Sequence, residues 1–137
     1  MYKALFSVTT ALAALISPPV MAKNIELHLT AKEVSLPIDN KGTMQTRWTY
    51  DGQVPGPVLR VTEGDTVTFT LTNEASNKNS HSIDLHAARV SVVKEFEAIK
   101  PGETKTFTFT ATYPGAFFYH CGADPMNQHI ARGMYGV

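Results

Sequence analysis

Four of the five histidines and the single cysteine lie in two short segments of the chain. Residues 81–86 read His-Ser-Ile-Asp-Leu-His, and residues 120–134 begin His-Cys and also contain His129 and Met134. Imidazole and thiolate are good ligands for zinc and copper, and a thioether is a soft ligand that favours copper. The side-chain chemistry therefore indicates that these two segments build a metal site.

Residues 81–86 are predicted to form a strand, in which successive side chains point to opposite faces. His81 shares its face with Ile83 and Leu85, so this face is predicted to point into the core. The opposite, outward face is predicted to carry Ser82, Asp84 and His86.

His120 and Cys121 are neighbours, so in an extended segment their side chains point to opposite sides. Cys121 then joins His81 in the interior, and the following loop returns His129 and Met134. Two imidazoles, one thiolate and a weakly bound thioether form the ligand set of a blue-copper electron-transfer centre. The spacing His…Cys-x7-His-x4-Met therefore predicts a buried copper site.

The outward set predicts a second metal site. His86 and His120 supply two imidazoles, and the Asp84 carboxylate lies close to them. A catalytic metal usually has three protein ligands and an open position. Because His28 belongs to a different predicted strand, the third ligand is expected from another domain or subunit. The alternative is that Asp84 and His86 are simply solvated on a strand face.

The elements that must hold these residues are predicted to be β-strands. Apolar and polar residues alternate in three segments, 25–30, 66–72 and 106–111, and threonines occupy the polar positions of the last two. Turn residues separate the strands, and no segment has a convincing amphipathic helical face of 12 residues. The expected fold is an all-β Greek-key β-sandwich in a single domain, residues 23–137.

Residues 1–22 are predicted to be a secretory signal peptide. Lys3 is their only charge, an apolar run covers 4–16, and small or modest residues precede a cleavage site after Ala22. The apolar run is short for a bilayer span, so cleavage is favoured over a membrane anchor. The prediction is an exported, periplasmic protein with no membrane span in its mature form. A copper site would explain how its single thiol avoids oxidation.

Composition excludes several other classes of protein. Lysine plus arginine and aspartate plus glutamate both number 12, and this zero formal charge argues against a nucleic-acid binder. One cysteine excludes an internal disulfide and a cysteine-rich zinc site.

At these residues the sequence resembles the first cupredoxin domain of copper-containing nitrite reductases, over about residues 24–137. The motifs that carry the resemblance are Trp48–Pro57, Arg60–Val67, His81–His86, Tyr119–Cys121 and His129–Gly136. The last two together are the most specific.

The resemblance implies a role for each matching residue. The implied type 1 copper ligands are His81, Cys121, His129 and Met134, and two of the type 2 copper ligands are His86 and His120. Asp84 matches a carboxylate that hydrogen-bonds nitrite and relays protons. The peptide unit joining His120 to Cys121 becomes an electron path between the coppers. The implied reaction combines nitrite with one electron and two protons to give nitric oxide and water.

The resemblance also implies partners. These are nitrite, a small periplasmic electron donor (a cupredoxin or cytochrome c) and two further subunits of a homotrimer, in which a neighbour's second domain supplies the third type 2 histidine. The sequence shows no second domain, so we expect either the first domain of a longer protein or a single-domain relative with an incomplete second site. The first is favoured, because a sheet that ended just after Met134 would be short of backbone partners. Ser80 and Ser82 stand where the family usually has proline and asparagine, and residues 87–96 replace a glycine-rich loop.

Two other functions remain open. A single-domain blue-copper electron carrier would use the buried ligands but would not need Asp84, His86 and His120. A laccase-like multicopper oxidase would need His-x-His pairs for its trinuclear cluster, and the sequence contains none. The oxidase is therefore ranked last.

Overall fold

The structure, a computed structural model, describes residues 21–137. The predicted signal peptide therefore lies almost wholly outside the described residues. Within them, no helix is long and apolar enough to cross a membrane. The elements in chain order are β1 (Asn24–Pro37), β2 (Met44–Tyr50), β3 (Thr66–Asn73), β4 (Asp84–Leu85), α1 (Val92–Glu95), β5 (Thr104–Thr110), β6 (Tyr119–His120), α2 (Met126–Arg132) and β7 (Tyr135–Gly136).

The larger sheet has the strand order β2-β1-β3-β5, with β1 parallel to β3 and the other pairs antiparallel. Its strands follow the alternation of the sequence. In β3, Val67, Phe69 and Leu71 are buried, and Phe69 pairs with Phe107 of β5. On the other face, the hydroxyls of Thr70 and Thr106 hydrogen-bond across the strands. The predicted half-buried strands with threonine on the wet face are therefore confirmed.

The smaller sheet, of order β4-β6-β7, positions the residues that carry the chemistry. Asp84 of β4 pairs with His120 of β6, and His120 pairs with Tyr135 of β7. Three short strands thus bring residues 81–86, 119–121 and 134–136 side by side. The predicted all-β, two-sheet architecture is confirmed, with two short helices added in its loops.

Aromatic and aliphatic side chains fill the space between the sheets and hold the smaller one in place. Tyr119 of β6 is buried and packs edge-on against Tyr50, with ring centroids 5.4 Å apart. Its hydroxyl donates a hydrogen bond of 2.6 Å to the Pro57 carbonyl oxygen. Gly136 lies so close to the Tyr119 ring that a Cβ at this position would overlap it. Close approach, rather than backbone freedom, therefore requires glycine there.

The prediction that residues 81–86 form one regular strand was wrong at Ser82, which is fully buried rather than outward-facing. Only Asp84 and Leu85 form strand β4, and His81 makes an isolated bridge to Ile99. The Ser82 N–H points at the Cys121 sulfur, 3.3 Å away, and Tyr50 donates to the Ser82 carbonyl oxygen. These bonds turn the segment inward and break the alternation.

Candidate metal centres

His81, Cys121 and His129 form a fully buried cluster. The Nδ1 atoms of His81 and His129 are 3.2 Å apart, and the Cys121 sulfur lies 3.2 Å from His129 Nδ1. If both nitrogens bound one ion at about 2.0 Å, the nitrogen–ion–nitrogen angle would be about 105°, close to the tetrahedral angle. The three donor atoms therefore fit a single metal ion.

Different parts of the fold deliver these three ligand atoms. The His81 backbone exchanges two hydrogen bonds with Ile99, in the segment between α1 and β5, and these bonds fix its position. The Cys121 N–H donates 3.1 Å to the Met134 carbonyl oxygen, which ties β6 to the chain beyond α2. Helix α2 supplies His129 as its buried residue.

Met134 lies beside the cluster because α2 ends abruptly. Gly133 has a φ of 122°, a conformation that favours glycine, and its N–H caps the helix on the His129 and Ile130 carbonyl oxygens. Met134 is fully buried, and its N–H donates 3.2 Å to the His129 carbonyl oxygen. The structure thus places the backbone of Met134, the predicted thioether ligand, against the backbones of Cys121 and His129, two of the other three predicted ligands.

Burial sets the protonation of the cluster. It lowers the pKa of His81 to about 4, with help from nearby His129 and against the pull of Glu33. It also lowers the pKa of His129 and raises that of the Cys121 thiol. Two neutral imidazoles and a protonated thiol therefore face each other at neutral pH, and a metal must displace the thiol proton when it binds.

Asp84, His86 and His120 form a second cluster at the protein surface. The Nε2 atoms of the two histidines are 3.1 Å apart, which suits a shared ion as the buried pair does. His120 donates from Nδ1 to the Cys121 carbonyl oxygen, 3.1 Å away. Its Nε2 lone pair is consequently free to face His86. His28, at 65% exposure on β1, belongs to neither cluster.

The two clusters are joined by one peptide unit. His120 is partly exposed and contributes to the outer cluster, whereas Cys121 has no exposed surface and contributes to the inner one. The structure therefore separates the two side chains as the sequence predicts. A continuous covalent path leads from the thiol sulfur through the backbone to the outer imidazole.

Trp48 and Glu33 contact the buried cluster and were not predicted from the sequence. The centroid of the Trp48 ring lies 4.6 Å from that of His129 and 5.5 Å from that of His81. The Arg132 guanidinium makes a cation–π contact with the same Trp48 ring, 4.6 Å from its centroid. The Glu33 carboxylate lies 3.2 Å from His81 Nε2. The sequence held one signal for Glu33, because it continues the inward parity of Leu29 and Ala31.

The two-sheet β-sandwich and its buried cluster of two imidazoles and a thiol define a cupredoxin-like domain. Residues 31–137 match the protein family described as multicopper oxidase, and the chain belongs to this family.

Relatives and solved structures agree with this assignment. The chain is 38% identical over 127 residues to a copper-containing nitrite reductase of Neisseria meningitidis serogroup A, covering 88% of this chain and 32% of the relative. A solved copper nitrite reductase from Nitrosomonas europaea has 65% identity and a TM-score of 0.81, over 82% of this chain and 40% of that one. A second, the copper-containing nitrite reductase NirK of Thermus scotoductus, has 34% identity and a TM-score of 0.75, over 82% and 26%.

These matches confirm the predicted resemblance to a cupredoxin domain of copper-containing nitrite reductases. The chain spans about a third of the length of the curated relatives that it matches. The likeness therefore concerns one part of those proteins.

Proposed function

We propose that this chain is the type 1 copper domain of a copper-dependent nitrite reductase that forms nitric oxide. One observation carries the proposal: two metal-ligand clusters, one buried and one exposed, share the His120–Cys121 peptide unit. This arrangement suits an enzyme that takes up an electron at one place and uses it at another. The names of the relatives supply the substrate, nitrite.

In the buried cluster, His81, Cys121, His129 and Met134 would hold type 1 copper, which supplies one-electron redox chemistry when bound. The protein excludes water from these side chains and keeps both imidazoles neutral, so that each offers a lone pair. The Ser82 N–H, 3.3 Å from the sulfur, would hydrogen-bond the thiolate. Such a bond stabilises the deprotonated ligand.

In the exposed cluster, His86 and His120 would be two ligands of type 2 copper, which acts as a Lewis acid when bound. A histidine from a neighbouring subunit of a homotrimer would complete the set. A carboxylate oxygen of Asp84 lies within 4.8 Å of the ligand atoms of both histidines. At this distance its carboxyl group can hydrogen-bond nitrite and deliver one of the two protons that the reaction consumes.

The Cys121–His120 peptide unit would serve as the electron path between the two sites. The balanced reaction is nitrite plus one electron and two protons, giving nitric oxide and water. The electron would come from a small periplasmic carrier, a cupredoxin or a cytochrome c, after export guided by residues 1–22. These assignments follow from the resemblance, and the exposed cluster favours them over a one-copper electron carrier, which would need no outer ligands.

The test measures copper content and nitrite consumption of the full chain, with the subunits that complete it, supplied with a reduced one-electron donor. The proposal expects two coppers per chain and nitric oxide as product. The double variant His86→Ala and Asp84→Ala should retain one copper and lose nitric oxide formation. One copper in the unmodified chain, with no nitric oxide, would establish the electron carrier instead.

A further inference from the structure

Glu33 carries a carboxylate that the proposed chemistry does not use, yet it touches a proposed copper ligand. Its Oε1 atom accepts hydrogen bonds from the backbone N–H groups of Lys78 and Asn79, at 3.1 and 2.9 Å, and from the Asn79 side chain at 2.9 Å. The fourth contact is His81 Nε2 at 3.2 Å. Four donors around a single oxygen form a site that stabilises a negative charge on that oxygen.

The surroundings keep this carboxylate ionised. Its side chain is 10% exposed, and burial alone would raise its pKa. The hydrogen bonds from Asn79, Lys78 and His81 outweigh burial and hold the pKa of Glu33 below its usual value. The geometry points the same way, because three N–H groups of Lys78 and Asn79 converge on one Glu33 oxygen, and such contacts favour the ionised carboxylate beside the buried cluster.

The contact with Glu33 also fixes the protonation of the His81 ring. A carboxylate only accepts hydrogen bonds, so the Nε2 atom of neutral His81 must carry the proton. The lone pair then sits on Nδ1, which faces His129 Nδ1 at 3.2 Å. The opposite tautomer would point a proton into the cluster and block a metal.

Glu33 is itself held rigidly. The Glu33 N–H donates 2.8 Å to the Asn77 side chain, and Asn77 is anchored in turn on the Ala31 carbonyl oxygen and on Asn73. Asn73 also donates to the carbonyl oxygen of Ile99, the bridge partner of His81. One buried amide network thus sets both the backbone of His81 and the carboxylate that touches its ring.

We propose that Glu33 is the positioning residue of the buried metal site, which orients His81 for metal binding and stabilises the oxidised, more positive state of the bound metal with its charge. The inference rests on the proposed function for the identity of the metal, copper. Its effect on the His81 ring does not need the metal.

The first arm of the test uses metal-free protein and ¹⁵N NMR of the imidazoles. The unmodified chain should show His81 protonated at Nε2 alone. Glu33→Ala should mix the two tautomers, whereas Glu33→Gln retains an acceptor oxygen and should preserve the original one. His81 protonated at Nδ1 in the unmodified chain, or an unchanged His81 spectrum in Glu33→Ala, would overturn the positioning role.

The second arm measures the reduction potential of the copper-loaded chain. Glu33→Gln removes the charge but keeps the shape, so it should favour the reduced centre at least tenfold, or 59 mV for one electron. The control is Glu26→Gln, the same change at an 80% exposed position on the same strand, which should leave the potential unchanged. Equal potentials for the two variants would refute the electrostatic role.

The two arms separate this inference from the proposed function. If the unmodified chain takes up no copper, the proposed function fails, and the metal-free tautomer still decides the role of Glu33. If copper binds and nitric oxide forms, but Glu33→Ala keeps the original His81 tautomer and Glu33→Gln has the same potential as Glu26→Gln, only the present inference fails.

Discussion

The buried histidine His81 should make the metal-free protein lose stability as the pH falls. In the unfolded chain this imidazole takes a proton near the usual pH of about 6.5, whereas burial lowers its folded pKa to about 4. Between these values the unfolded state binds more protons than the folded state. The free energy of unfolding therefore decreases as the pH falls through this window. The part of the stability that depends on a neutral His81 is fully lost near pH 4.

The size of the effect follows from the two pKa values. One pKa unit corresponds to about 1.4 kcal/mol, so the full shift is worth about 3 kcal/mol, of which about 2 kcal/mol is lost between pH 7.5 and pH 5. For a domain of this size, with an m-value of about 2 kcal/mol per molar urea, the midpoint should fall by about 1 M. Burial also lowers the pKa of His129, so the total loss should exceed this value.

Urea unfolding at pH 7.5 and pH 5, in the presence of a chelator, measures this loss directly. His81→Gln should unfold with a pH dependence smaller by about 2 kcal/mol than that of the unmodified chain. The matched control is His28→Gln, which removes a histidine that is 65% exposed and should leave the pH dependence unchanged. A pH dependence in His81→Gln equal to that of the control would refute the reasoning.

Three further outcomes are expected. Asp84→Asn should leave the absorption of the buried copper centre unchanged and lower the rate of nitric oxide formation by roughly 100-fold or more, as expected for loss of a proton donor; an unchanged rate would contradict a proton-relay role. Gly136→Ala should destabilise the domain by about 1–3 kcal/mol in urea unfolding, because its Cβ would overlap the Tyr119 ring; a stability within error of the unmodified chain would show that the ring gives way freely. Export should cleave the chain after Ala22, so sequencing of the exported protein should begin at Lys23; a start at Met1 would contradict the signal peptide.

The alternation of apolar and polar side chains in the sequence was enough to predict three strands of the larger sheet. It was also enough to predict that neighbouring His120 and Cys121 belong to different clusters. Strands β1, β3 and β5 follow the apolar periodicity, and His120 and Cys121 diverge as neighbours in an extended segment should. These features depend on local geometry, which the sequence determines directly.

Features that depend on distant contacts could not be predicted in the same way. Ser82 is buried because its backbone bonds to Tyr50 and the Cys121 sulfur, which are 32 and 39 residues away. Glu33 reaches His81 across a separation of 48 residues. Glu33 has the same strand parity as the buried Leu29 and Ala31, but only the three-dimensional structure shows which donors surround its carboxylate.

The central claim is that the buried cluster binds copper through the Cys121 thiolate. It is tested most directly by titrating copper into the metal-free chain and recording the absorption spectrum. We predict an intense sulfur-to-copper charge-transfer band in the unmodified chain that is lost in Cys121→Ser and retained in His86→Ala. A band that survives in Cys121→Ser, or no band in the unmodified chain, would contradict the account.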